Sequence, residues 1–142
     1  MFELVPYSSI GPILFGMTEA EVIAALGEPA RRTVNRRSEL EYDYGAVTVV
    51  FSSSDRRIVE FSAVPGADVV VAGMHLFSAD GAFERLLQLD DDPREFHGFV
   101  VLLKLGITLT GFHDRDESQK AVTAFEKGRW DHLLTQMKKL PR

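Results

Sequence analysis

Cysteine is absent from this chain of 142 residues, which excludes disulfides, thiolate metal sites and a cysteine nucleophile. Long apolar runs are lacking too. The most apolar stretch, FVVLLKLGITL, is interrupted by Lys104 and Gly106 and is far shorter than the ~20 residues of a membrane-spanning helix. The first residues, MFELVPYSS, do not follow the basic-then-apolar pattern of a signal peptide. We therefore expect a cytoplasmic protein without a membrane partner.

Basic residues do not gather in either half of the chain. The formal net charge is −5, of which −3 comes from residues 1–67 (six Lys/Arg against nine Asp/Glu) and −2 from residues 68–142 (ten against twelve). Proteins that grip a phosphate backbone usually carry a basic stripe or half, so nucleic acid is not the expected partner. A hydrophobic content of 45% is that of a folded globular protein.

The segment FGMTEAEVIAALGEP carries complete start and stop signals for a short helix. Thr18 and Glu21 have the T-x-x-E spacing of a capping box, in which each side chain bonds the backbone N–H of the other residue. Apolar residues then recur at helical spacing. Gly27 suits the end of a helix and Pro29 prevents its continuation. The pattern predicts a helix over residues 18–26.

The segment that follows, ELEYDYGAVTVVFSSSDRRIVEFSAV, alternates between apolar and polar side chains. Alternation at period two is typical of strands with one buried face, and the polar SSSDRR run indicates a turn between two of them. We expect an antiparallel meander with one solvent-facing side, in which the residues that alternate with polar neighbours are Leu40, Tyr42, Tyr44, Val47, Val49, Phe51, Val59, Phe61 and Ala63.

The second half of the chain has the same order of segments. Ser78 occupies the place of a helix N-cap, 60 positions after Thr18, and an apolar stripe follows it. A polar loop and three strand-like segments come next. We expect an α+β protein made of two tandem helix-plus-antiparallel-meander units, residues 1–67 and 68–142, which form a shared or adjoining sheet in one compact domain.

The period of this repeat is not uniform along the chain. An offset of 61 aligns Gly45 with Gly106, but it also aligns the apolar Val47 with Thr108. An offset of 60 aligns Val47 with Ile107 and loses the glycine match. A slip of one residue reverses every side chain of a strand, so either a bulge intervenes or part of the match is coincidental.

The last segment, KGRWDHLLTQMKKLPR, predicts a C-terminal helix. One face of that helix would carry Trp130, Leu133, Leu134, Met137 and Leu140. Such a face either docks on the domain's own core or anchors a partner or a second copy of the chain, since tryptophan and methionine are favoured at interfaces.

The segment GMTEAEVIAALGEP is similar to the G-M-T-x-x-E-V-x-x-x-L-G-x-P signature of the BamE/SmpA class of small outer-membrane-assembly lipoproteins. Two such helix-plus-meander units in tandem form the plan of the β-lactamase inhibitor protein class. The resemblance therefore implies a BLIP-like fold whose sheet face binds another protein. The lipoproteins' envelope role does not carry over, because their lipid-bearing cysteine is missing here.

No catalytic signature accompanies this fold, and we expect neither an enzyme nor a cofactor or metal site. His113, Asp114 and Asp116 form the best polar cluster, which is either a ligand or acid–base group or a solvated turn. The acidic run at residues 90–92 lacks the alternating spacing and the glycine of a calcium loop. This run indicates a loop that follows the end of a helix.

Two sets of side chains are candidates for contacts with a partner. The basic set is either a charged sheet edge or a site for an anion or an acidic partner, and it comprises Arg31, Arg32, Arg36, Arg37, Arg56 and Arg57. Tyr42 and Tyr44 either pack in the core or anchor an interface. From both sets and the last segment, the predicted partner-binding residues are Tyr42, Tyr44, Arg56, Arg57 and Trp130.

These features favour a non-catalytic protein-binding module, of the kind found among immunity and inhibitor proteins. Its partner would be a toxin or an enzyme domain, and the even acidic charge would speed the capture of a basic one. The alternative is a small-molecule-binding protein or an unrecognised hydrolase with a pocket between the two units. A third hypothesis is a homodimer that forms through the predicted helix bearing Trp130 and has no other activity.

Overall fold

Two β-sheets and two short α-helices make this an α+β protein, described here for residues 1–140 of a computed structural model. The first half contains β1 (Phe2–Val5), β2 (Ser9–Ile10), β3 (Ile13–Leu14), α1 (Glu19–Leu26), β4 (Arg31–Val34), β5 (Leu40–Asp43), β6 (Val47–Phe51) and β7 (Ile58–Ala63). The second half contains β8 (Val69–Val71), β9 (Met74–His75), α2 (Ala82–Leu89), β10 (Pro93–Phe96), β11 (Phe99–Leu102), β12 (Ile107–Thr110), β13 (Ala121–Phe125) and β14 (Lys138–Lys139).

Each of the two sheets contains strands from both halves of the chain. The large sheet has nine antiparallel strands in the order β14-β10-β11-β12-β13-β7-β6-β5-β4, and its two halves meet where β13 pairs with β7. The small sheet has the order β3-β2-β1-β8-β9, and its halves meet where β1 pairs in parallel with β8. Each half thus contributes one helix, a four-stranded meander of the large sheet and some strands of the small sheet. The division into units at residue 67 stays a prediction, and residues 141–142 of the second unit lie outside the described residues.

The strand registers explain the uneven period of the repeat. Val47 pairs with Ala63 in the first half, and Ile107 pairs with Ala124 in the second. Equivalent positions are therefore 60 residues apart in β6 and β12 but 61 apart in β7 and β13, so the extra residue is accommodated between β12 and β13. Val47 and Ile107 both face the core, as the apolar pattern requires.

One face of the large sheet packs against the helices and the small sheet. α1 contributes Val22, and α2 contributes Leu86, and both side chains are fully buried. The small sheet adds Leu4, Ile10 and Val71 to the same cluster. The small sheet was not predicted, because its strands have two to four residues and are too short to show alternation.

The predicted capping box of α1 is confirmed. Thr18 Oγ1 accepts a hydrogen bond from Glu21 N at 3.4 Å, and Glu21 Oε1 accepts one from Thr18 N at 3.2 Å. Gly27 ends the helix with a φ of 85°, a value that glycine reaches without steric cost.

The prediction that Ser78 caps the second helix is wrong. The backbone N–H of Ser78 is already bonded to the carbonyl of His75 in the turn after β9. α2 begins at Ala82, and its N-cap is Gly81, which has no side chain to supply a hydrogen bond. The first residues of the two helices are thus 63 positions apart, because the segment between β9 and α2 is longer than the segment between β3 and α1.

The predicted C-terminal helix is replaced by a 3-10 turn over Asp131–Gln136 and the short strand β14. Lys138 and Lys139 do not end a helix but pair with β10 at the edge of the large sheet. The open edge of β10 thus offers backbone hydrogen-bond partners to this segment, which favours a strand over a further helical turn. No helix among residues 1–140 is long and apolar enough to cross a membrane.

Thr18→Ala is expected to lower the free energy of unfolding by about 1 kcal/mol, because the N-terminal N–H groups of α1 lose their capping acceptor. Unfolding in urea, followed by far-ultraviolet circular dichroism, measures the change. Ser78→Ala is the matched control, since this exposed serine caps no helix, and its effect should stay within about 0.5 kcal/mol. Equal losses in the two variants would contradict the role of the capping box.

Candidate functional site

The outer face of the large sheet, opposite the core, carries a row of hydroxyl side chains across four neighbouring strands. Thr48, Ser62, Thr123 and Thr108 are direct cross-strand partners in that order. The hydroxyls of Ser62 and Thr123 lie 2.9 Å apart at the junction of the two halves. Because side chains alternate along a strand, these residues point away from the core cluster. They form a polar floor.

The chain after β13 turns back over this outer face, and we call residues 126–140 the C-terminal strap. Gly128 permits the reversal with a φ of 89°. Met137 packs on Val101 and Phe125, with Leu133 and Leu134 beside it. The strap therefore covers the β10–β13 side of the outer face and leaves the neighbouring part of the face open.

Trp130 joins the strap to an aromatic cluster. Its ring lies 6.2 Å from Phe96, 6.4 Å from Phe99 and 6.2 Å from Phe125 between centroids. Such tilted and edge-to-face pairs are favourable beyond the area that they bury. Phe99 keeps 38% of its surface exposed, so one side of the cluster faces solvent.

Arg129 fastens the other side of the strap to the sheet through two carboxylates. Its Nη1 and Nη2 donate to the two oxygens of Glu39 at 2.8 and 2.9 Å, and its Nε donates to Glu60 at 2.6 Å. The three side chains are only 13%, 7% and 17% exposed, for Arg129, Glu39 and Glu60 respectively. A two-pronged arginine–carboxylate contact of this kind fixes orientation as well as distance.

The pKa values of this cluster shift in the directions that its contacts require. The hydrogen bonds from Arg129 hold the pKa of Glu39 below its usual range; burial opposes this shift and Asn35 adds to it. Burial alone would lower the pKa of Arg129, but the hydrogen bonds to Glu39 and Glu60 outweigh it and raise that pKa. Both Glu39 and Arg129 are therefore charged at neutral pH.

The turn between β4 and β5 is held by one asparagine. Asn35 Oδ1 accepts hydrogen bonds from the backbone N–H groups of Arg37 and Glu39 at 2.9 and 3.1 Å. Its Nδ2 donates to Glu39 and Glu41 at 3.1 and 3.0 Å. Local bonds of this kind define the backbone of the turn and therefore the starting points of the Arg36 and Arg37 side chains.

Between this turn and the strap lies an open groove of about 620 Å³, which we call the outer groove. It is lined by Asn35, Arg36, Arg37, Glu39, Glu60, Phe96, His97, Phe99, Thr108, Thr123, Arg129, Trp130 and Leu133. The β4–β5 and β10–β11 turns stand at opposite corners of the large sheet. Since both line the same groove, the outer face is concave, and both halves of the chain contribute to it.

Some charged side chains that line the outer groove form salt bridges within the described residues, and others do not. Its lining contains three arginines and two glutamates, a formal net charge of +1 in a chain whose total is −5. Glu39 and Glu60 are already bonded to Arg129, and Glu41 nearby is bonded to Asn35. Arg36 and Arg37 are exposed and have no salt bridge within residues 1–140.

Of the predicted partner-binding residues, Trp130 lines the outer groove and the others surround α1. Tyr42 is 1% exposed and donates to Glu19 at 2.5 Å, so it packs in the core and offers no contact area, and its assignment to a binding surface is corrected. Tyr44 is half-buried and donates to the carbonyl of Gly27, which ends α1. Because these tyrosines serve the helix, they do not share a surface with Trp130.

The six arginines of the basic set also divide into two groups. Arg31 pairs with Asp43 at 2.6 Å, Arg32 with Glu28 at 2.5 Å and Arg56 with Glu19 at 3.2 Å. Arg57 donates to the carbonyl of Gly16 at 2.9 Å. These four stabilise the edge strand and the start of α1. Arg36 and Arg37 remain as the pair that faces the outer groove.

The acidic clusters singled out in the sequence serve their own turns. Asp90 accepts from Asp92 N at 3.0 Å and from Lys104 N at 2.8 Å. Asp116 accepts from Ser118 N at 3.1 Å, and Asp114 accepts from Asp116 N at 3.3 Å. No group of three His, Asp or Glu side chains within the described residues is arranged to hold a metal ion.

Arg129→Ala is expected to lower the free energy of unfolding by about 3–5 kcal/mol, because two largely buried carboxylates would remain without a counter-charge. Unfolding in urea measures the loss. Arg36→Ala is the matched control: it removes an exposed guanidinium, and its effect should stay within about 0.5 kcal/mol. A comparable small loss in both variants would show that Arg129 does not hold the strap.

The lowered pKa of Glu39 predicts a dependence of stability on pH. Such a carboxyl stabilises the fold above its unfolded-state pKa of about 4.3, and the contribution is lost as the pH falls through the folded-state pKa. Glu39→Gln should therefore destabilise the protein at neutral pH, and its difference from the wild type should shrink below about pH 4. Urea unfolding at stepwise pH tests this. A difference that is constant with pH would contradict it.

No protein-family model matches the sequence, and no curated protein matches it. Among solved structures, the chain is similar to an extracellular protein containing an SCP domain from Bacillus anthracis, with 13% sequence identity and a TM-score of 0.50. The match covers 90% of this chain and 49% of that protein, so this chain spans about half the length of the protein that it matches. At this identity the likeness concerns the fold, and it is consistent with the α+β class.

Proposed function

We propose that this chain is a non-catalytic protein-binding module that holds its partner in the outer groove. The observation that carries the proposal is the pair Arg36 and Arg37, displayed on a rigid turn without carboxylate partners in the described part of the chain, opposite the exposed side of Phe99. Arginine and aromatic side chains are enriched at binding hot spots. A concave, open surface that joins charged and aromatic groups suits contact with another protein.

The polar groups of the outer groove support a binding role because most of them bond one another. The hydroxyls of Ser62 and Thr123 share one hydrogen bond, and Arg129 uses its donors on Glu39 and Glu60. Groups engaged in this way define shape and rigidity. A preformed surface loses less conformational entropy when a partner binds, which favours affinity.

Several finer statements belong to this proposal and rest on the sequence. The role would be that of an immunity or inhibitor protein, the partner a toxin or an enzyme domain, and the location cytoplasmic. The resemblance to the BamE/SmpA helix-plus-meander unit and to the tandem plan of the β-lactamase inhibitor protein class supports the binding role by analogy alone. Fractionation of native cells, read out with an antibody, tests the location.

The volume of the outer groove favours one alternative, a small-molecule-binding protein. About 620 Å³ lies within the usual range of ligand pockets, and the residues that line the groove come from both halves of the chain. Such pockets usually enclose most of their ligand, whereas this groove is open to solvent along its length. We therefore place protein binding first.

A photo-crosslinking phenylalanine analogue at position 99 should form one defined adduct with a second protein in native cells, because Phe99 lies at the exposed side of the outer groove. The same analogue at position 89 is the matched control, since Leu89 is similarly exposed, at 44%, and lies on α2. Denaturing gels and mass spectrometry of the adduct provide the measurement.

The possible results distinguish the proposal from its alternative. An adduct from position 99 alone, reproduced with the purified second protein, supports the proposal. Equal adducts from both positions, or none from position 99, would contradict it. A small molecule that co-purifies with the chain in native mass spectrometry, and that protects position 99 from crosslinking, would favour the alternative.

A further inference from the structure

Resting on the proposed function, we infer that the partner enters the outer groove with an acidic segment, whose carboxylates pair with Arg36 and Arg37 and whose apolar or aromatic side chain packs on Phe99 and Trp130. This assignment reverses the expectation from total charge, which favoured a basic partner. The contact surface and the whole chain have opposite signs of charge.

The first support is that the guanidinium groups of Arg36 and Arg37 form no salt bridge within residues 1–140, although the charge of Arg37 acts on Glu39. The two carboxylates that line the groove are already bonded: Glu39 binds Arg129 with both oxygens and Asn35 with one of them, and Glu60 binds the Nε of Arg129. Each guanidinium presents a planar fork that matches a carboxylate in two hydrogen bonds. An incoming carboxylate would therefore supply a hydrogen-bonded partner that the described part of the chain does not.

The second support is that the turn bearing these arginines is held in place before binding. Asn35 accepts from the N–H groups of Arg37 and Glu39, and the Ser38 N–H donates to the Asn35 carbonyl at 3.0 Å. Arg129 then ties Glu39 to the strap. Because folding already orders this turn, less conformational entropy is lost when a partner binds.

The third support is the range of electrostatic forces in salt solution. At physiological ionic strength, charges more than about 8 Å apart are largely screened. The acidic residues that are remote from the outer groove therefore act weakly on a ligand inside it, whereas Arg36 and Arg37 in its lining act at contact distance. Local complementarity selects an acidic segment even though the whole chain carries −5.

The positions of the charged and aromatic side chains also determine how an extended segment would lie in the groove. Arg36 and Arg37 stand at one corner of the sheet, and Phe99 and His97 stand at the opposite corner, with the hydroxyl floor between them. An extended chain that crosses the floor would have its acidic residues at one end and an apolar side chain at the other. A compact phosphate or a single carboxylate would reach only one of the two corners.

The test is selection of a displayed library of random 12-residue peptides against the purified full chain. We expect the enriched peptides to contain two or more Asp or Glu residues and a separate aromatic or large aliphatic residue. Synthetic, tryptophan-free versions are then titrated against the protein. Trp130 is the single tryptophan of the chain and lines the outer groove, so its emission reports binding there directly.

The variant that tests the arginines is Arg36→Glu with Arg37→Glu, which should weaken the selected peptides by about 10- to 100-fold, since two charge-assisted contacts are reversed. The matched control is Arg85→Glu with Arg115→Glu, which makes the same change of charge at two exposed arginines that do not line the groove. Its binding should change less than about threefold. Arg36→Lys with Arg37→Lys should bind at an intermediate level.

The outcomes separate this inference from the proposed function. Enriched peptides without acidic residues, or equal binding by the Arg36/Arg37 variant and its control, would overturn the acidic segment while the position-99 adduct could still stand. No enrichment together with a position-99 adduct would overturn it as well. Tighter binding of the probe poly(U) than of any peptide would overturn it in favour of nucleic acid. Loss of both the adduct and the enrichment would end both proposals.

Discussion

The contact between Arg129 and the two glutamates is the interaction on which the shape of the outer groove depends. Glu39 precedes β5, Glu60 lies in β7, and Arg129 begins the return of the chain over the sheet, so one guanidinium joins three separate segments. It determines where the strap lies and thereby how much of the outer face stays open. It also engages Glu39 and Glu60, the two carboxylates that line the outer groove together with Arg36 and Arg37.

The junction of the two halves supplies the floor on which that contact is built. β7 and β13 pair along four residues each, and the hydroxyls of Ser62 and Thr123 meet at their centre. The large sheet is therefore continuous from β14 to β4, and the natural twist of a nine-stranded sheet brings opposite corners toward one another. The concavity of the outer groove follows from this continuity, since neither half alone spans both corners.

How far the sequence predicts the structure depends on how local each signal is. The helix at Thr18 and the strands through Phe61 follow from capping and alternation, which act over a few residues. The Arg129 network could not be predicted, because its partners are 90 and 69 positions away and a lone arginine carries no periodic signal. The strap was misread for a related reason: its apolar spacing suits a helix, but the open edge of β10 pairs with Lys138 and Lys139 instead.

The two ends of the outer groove are built by equivalent turns that differ in sequence, Asn35–Arg36–Arg37–Ser38 in one half and His97–Gly98 in the other. Neither turn contributes to the hydrophobic core. Under the proposed binding role, substitutions in one turn would therefore alter what is recognised at that end without disturbing the other end or the shared floor. On that proposal, the architecture would allow binding preferences to diversify stepwise, one corner at a time, on an unchanged scaffold.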